Sequence, residues 1–276
     1  MHFHFDFSAN QILWTLTFAG LLVLLVVLLG RNRARRFPWF TAAMAIMALR
    51  MVTSRLLFGR MSPLVSSQIF LVLSVIASIV ALLMIVEVAR RSFSGAKRSA
   101  WIAATLITLA LAGVVVVEWG PWPSPKTVFA ASTLAAMRFM QLFSQKADLL
   151  ADLLIVQLGV LVALFGRRFH AGWRSHPQQI AIGLSAVSIS QLVVRVAWQQ
   201  IALHTTIHSQ AEYQRVMTLQ EKIYHANNTV YLAALIWWII WLWFDEPGTN
   251  PQAESEQQTP NTIEQPTSAN LTAGNR

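Results

Sequence analysis

Cysteine is absent from the chain, which excludes disulfides, thiolate metal sites and cysteine nucleophiles. Charge is scarce as well. Charged side chains make up 12% of the 276 residues, about half of the roughly 25% found in soluble domains. Acidic residues are the rarer sign, 12 against 21 Lys and Arg, leaving a formal charge of +9. An excess of this kind can mark a nucleic-acid partner. Here most of the positive charges lie in short clusters between apolar runs, the pattern of membrane topology, and no nucleic-acid role is expected. Internal repeats and a second folded domain are missing too. With no kinase, cyclase or DNA-binding module, any output has to pass through a partner protein.

What is abundant is apolar sequence, 55% of the chain. A helix needs about 20 apolar residues to cross a bilayer, and seven runs qualify, at about 9–29, 38–59, 64–89, 100–118, 146–166, 177–203 and 224–244. The predicted fold is therefore an all-α, polytopic seven-helix bundle in a lipid bilayer. The first run ends in RNRARR with no small-residue cleavage site, so it reads as a retained helix and not a signal peptide. The alternative is a count of five or six spans, with the fifth run beginning as early as Thr127 and lying partly on the surface.

The connections alternate in charge. Arg31, Arg33, Arg35 and Arg36 follow the first run; Arg90, Arg91, Lys97 and Arg98 follow the third; Arg167, Arg168 and Arg174 follow the fifth. The opposite loops are poorer in positive charge. The positive-inside rule then predicts an external N-terminus, residues 1–8, and a cytoplasmic C-terminus. Compact loops point to a bacterial inner membrane. Trp39, Trp101, Trp119, Trp122 and Trp173 fall at predicted span ends, and the WWIIWLWF run reads as the same interfacial belt. Residues 245–276, rich in Pro, Gln, Thr, Asn and Glu, are predicted to be a disordered cytoplasmic tail.

Against this apolar background a few charges stand out. Arg50 and Arg55 interrupt the second span. At about 1.5 Å per residue, Arg50 lies roughly 18 Å in from Pro38, past the midplane. An arginine there costs about 2.5–3.5 kcal/mol on insertion scales, so it should face the bundle interior and find a partner. The fifth span carries Asp148 and Asp152, and the sixth carries Gln191, Arg195 and Gln199, each set at helical spacing on one face. Gln68 lies one turn into the third span, and Asn227, Asn228 and Tyr231 lie in the first turns of the seventh. All of them fall in the predicted outer half.

Two readings follow. Arg50–Asp152 with Arg195–Asp148, or the reverse pairing, are ion pairs that fix helix register. Alternatively, Arg50, Arg55, Asp148, Asp152, Arg195, Gln199 and Gln68 surround an outward-open cavity for a small polar or anionic ligand, arginine forks being suited to carboxylate or phosphate. A sensory or receptor-like role is expected from the second reading, and a transporter or complex subunit from the first. An enzyme is the weaker expectation. It would use a divalent metal held by His204, His208, Glu212 and His225, with His2, His4 and Asp6 on the same predicted side. No other cofactor is expected. The seventh span has no lysine for retinal, and no pair of histidines lies inside the spans for haem.

Overall fold

The computed structural model describes residues 9–57, 60–93, 98–120, 122, 132–165, 175–204 and 209–245. The chain divides into two units, Met1–Phe244 and Asp245–Arg276, and the bundle below belongs to the first. The predicted tail from 246 onward and the N-terminal residues 1–8, with His2, His4 and Asp6, lie outside the described residues.

The described residues hold eight helices and no strand. They are α1 (Ala9–Gly30), α2 (Arg33–Arg36), α3 (Pro38–Leu57), α4 (Pro63–Ser92), α5 (Arg98–Glu118), α6 (Thr133–Phe165), α7 (His176–His204) and α8 (Gln210–Trp243). All but the single turn α2 are long and apolar enough to cross a membrane. Large apolar side chains face outward along them, Val26 67% exposed, Leu106 61% and Val193 62%. In water such a surface would aggregate. In hydrocarbon it is the required one, because helices satisfy their own backbone groups. The chain is a multi-pass membrane protein.

Local sequence explains the helix starts. Pro38 and Pro63 open α3 and α4, where a missing N–H costs nothing. The Ser62 hydroxyl accepts from the Val65 amide. Ser209 and Glu212 form a capping box at α8. That box starts α8 fourteen residues before the apolar run expected at 224, and α6 likewise begins thirteen residues before 146. Neither stretch contains a proline or glycine to stop a helix. At 34 residues α8 is about 50 Å long, so it overhangs a hydrocarbon core of about 30 Å.

The helices close into a ring, α1 against α3, α3 against α4, α4 against α6, α6 against α7, α7 against α8 and α8 back against α1, with α5 outside on α6. The α6–α7 crossing is tight, since a Cβ on Gly159 would lie 2.0 Å from Ser185 Oγ. That hydroxyl sits within bonding distance of Ile155 O at 3.1 Å across the crossing, the small-residue packing usual between membrane helices.

The two ends of the bundle are chemically different. At one end Asn10 donates to Glu221 at 3.4 Å and Arg55 lies over the Trp14 ring. At the other, Arg31 lies over Trp243, Arg91 over Phe37, and Glu87 accepts the Trp39 and Phe40 amides at 3.0 and 3.1 Å. Glu87 thus caps the start of α3 from α4, which holds the helix that carries Arg50. Trp39 is exposed at the start of α3 and Trp122 is exposed beyond the end of α5, as a belt requires, and Trp173 lies outside the described residues. Trp238 departs from the belt reading. It is 1% exposed and packs edge-on against Phe40, because its position on α8 turns toward the core while Trp237 and Trp243 turn out.

Candidate functional site

Two adjoining cavities lie inside the ring. The inner one, about 180 Å³, is walled mainly by Met44, Met47, Ala81, Met84, Leu184 and Trp238. The wider outer one, about 540 Å³, is bounded by Trp14, Phe70, Tyr224, Asn227 and Asn228. Arg50, Met47, Asp148, Gln191 and Tyr231 line both, so they stand at the junction. Asp152 lines the inner cavity alone.

Three helices supply the charges. Arg195 of α7 reaches Asp152 of α6 at 3.4 Å, and the buried Ser188 lines the same cavity wall as that carboxylate. Asp152 is 6% exposed, and its charge is answered. Of the two pairings open at the sequence level, the structure forms Arg195–Asp152. Asp148, one turn earlier, takes a different partner. Ser78 of α4 donates to it at 2.6 Å. Ser144 lies next to Ser78 and donates to Ser74 at 3.0 Å, extending a hydroxyl chain between α4 and α6. Arg50 of α3 makes neither an ion pair nor a hydrogen bond among the described residues. The Tyr231 hydroxyl is shielded from solvent and likewise has no bonding partner among them.

Helix rotation sorts the remaining residues. Each step of four advances about 40° around a helix, at about 100° per residue. Gln191 faces the cavities, Arg195 is turned far enough to reach round to Asp152, and Gln199 is exposed and lines neither cavity. Arg55 stands about 140° from Arg50 by the same count, and it lies exposed over Trp14 at 5.7 Å. Gln68 stands about 200° from Phe70, the nearest cavity-lining position of α4, and lines neither cavity. These three residues leave the site for one reason: similar depth is not the same face.

The histidine set is not gathered. His204 is exposed at the end of α7, the Glu212 carboxylate accepts the Ser209 amide in the capping box, and His225 meets Asn10 at 2.7 Å. Among the described residues no three His, Asp or Glu side chains come together as a metal site. His208 lies outside them.

Sequence reasoning overlooked Ser74, Ser78, Ser144 and Ser188. A signal was present, Ser74 with Ser78 and Ser144 with Asp148 each at i, i+4, but serine is tolerated inside membrane helices and draws little notice. No family model, curated protein or solved structure matches this chain.

Proposed function

We propose that this chain is a receptor-like membrane protein that takes a small polar or anionic ligand into the Arg50 cavity. Ligand binding would bias the packing of α3, α6 and α7, and a partner protein at the basic end would read the change. The observation that supports this is the state of Arg50. Its guanidinium borders two cavities and has no partner among the described residues, although an arginine inside a membrane bundle needs acceptors. A ligand carboxylate or phosphate would supply two in fork geometry.

Orientation follows the positive-inside rule. The end that carries Arg31, Arg33, Arg35, Arg36, Arg90 and Arg91 would face the cytoplasm of a bacterial inner membrane, so the cavity would open outward. The Arg195–Asp152 pair fits a different role within the same molecule. It is a register lock between α6 and α7, as expected for the subunit reading.

The test is a melting-temperature screen of the purified chain against small carboxylates, phosphates and uncharged polar compounds. Stabilisation that vanishes in Arg50→Gln supports the reading. A stabilising ligand that binds Arg50→Gln equally well removes Arg50 from the site. Passage of the same ligand into sealed liposomes would favour transport over reception.

A further inference from the structure

The junction between the two cavities holds two charges of opposite sign that no charged group among the described residues answers. Asp152 is balanced by Arg195. Asp148 receives only the neutral Ser78 hydroxyl, and no cation pairs with it among the described residues. Arg50 has no partner of either kind among the described residues. Arg50 and Asp148 both line both cavities, from α3 and α6, yet they do not form an ion pair with each other. We infer that the natural ligand is a small zwitterion, its carboxylate on Arg50 and its ammonium on Asp148, with an apolar group reaching into the inner cavity. This rests on the ligand-site reading above and narrows it to one chemical class.

Charge balance decides among the classes. A simple anion satisfies Arg50 but is repelled by Asp148 and leaves that carboxylate bare. A simple cation does the reverse. In a partly desolvated site each uncompensated charge is costly, so the ligand that answers both ends binds best. Asn227, Asn228 and Gln191 can add neutral hydrogen bonds around the polar head.

The shape of the inner cavity indicates the rest of the ligand. Beyond the charges its wall is mainly Ala, Met, Leu, Ile, Val and Trp. A volume of about 180 Å³ compares with the roughly 150 Å³ cavity that accepts benzene in an engineered protein. A branched aliphatic or single-ring group therefore fits. Flexible methionines at positions 44, 47 and 84 can mould to either. A zwitterion with such a group is, in the simplest case, an apolar α-amino acid.

The wild-type chain in detergent provides the test, by calorimetric titration with four probes: leucine, isocaproate (no ammonium), isoamylamine (no carboxylate) and glycine (no apolar group). Leucine should bind at least tenfold more tightly than each of the other three. Asp148→Asn should abolish the preference for leucine over isocaproate, and Arg50→Gln should abolish its preference over isoamylamine. The wild-type series needs no variant to fold, so the inference stays testable if either substitution disrupts the bundle. Isocaproate binding as tightly as leucine overturns the zwitterion while leaving an anion site at Arg50 intact. Absence of binding by all four probes overturns the zwitterion as well, and the wider screen of anions then decides separately whether the cavity is a ligand site.

Discussion

Asp152 and Arg195 illustrate how single side chains divide their work in this bundle. Their contact at 3.4 Å, with the arginine side chain 29% exposed, is partly wet, so removing one partner should cost about 2–3 kcal/mol, somewhat under the 3–5 kcal/mol of a fully buried pair. Asp152→Asn should lower the melting temperature, and Asp152→Leu combined with Arg195→Leu should recover part of the loss. A double variant no more stable than the single one would show that the pair is no lock. Glu87 makes a second prediction at this scale. It accepts two amides at the start of α3, so Glu87→Ala should destabilise by about 1–2 kcal/mol, the usual cost of a lost helix cap. Glu87→Gln keeps an acceptor oxygen and should lose less. Equal losses in a thermal melt would mean that charge, with Arg91 at 3.8 Å, outweighs the cap.

Among the elements, the close α7–α8 contact depends on a missing Cβ. Built onto Gly183, that atom would lie 2.3 Å from Trp238 Nε1, so the rigid indole would have to move. Gly183→Ala should lower stability by about 1–3 kcal/mol, the cost of overpacking. Gly113→Ala meets nothing within 4 Å and should be neutral or slightly stabilising, since alanine is the better helix former. A melt that ranks the two alike would place Trp238 elsewhere. Lys146 joins α5 to α6. Its ammonium donates to Val116 O at 2.9 Å, to Trp119 O and to Gly120 O, and it lies over the Trp122 ring. Lys146→Met should speed amide exchange in the last turn of α5 and leave α1 and α8 unaffected. Helix existence was legible in the sequence for all seven spans, because length and apolarity are local properties. Helix length was not. The start of α8 runs through residues too polar for hydrocarbon, and that of α6 was open back to Thr127; hydropathy stops at the membrane surface although backbone hydrogen bonding does not.

For the molecule as a whole, the absence of cysteine makes orientation directly measurable. Met61→Cys, at the α3–α4 turn, should react with an impermeant maleimide on intact cells, while Arg33→Cys should react only after lysis. The opposite pattern would invert the topology and turn the cavity toward the cytoplasm. The seven spans and the grouping of basic loops at alternate connections were settled by sequence alone, because transfer of each segment into lipid depends on its own composition. Which charges meet was decided only by tertiary structure. Asp148 and Asp152 are one turn apart and were interchangeable as partners for Arg195, until the rotation of α6 against α4 and α7 gave one to Ser78 and the other to the arginine. Arg55 on α3, Gln68 on α4 and Gln199 on α7 share the depth of the site but stand on other faces of their own helices. A helix carries its depth in its sequence, but the face it presents inward is set by the neighbours it packs against.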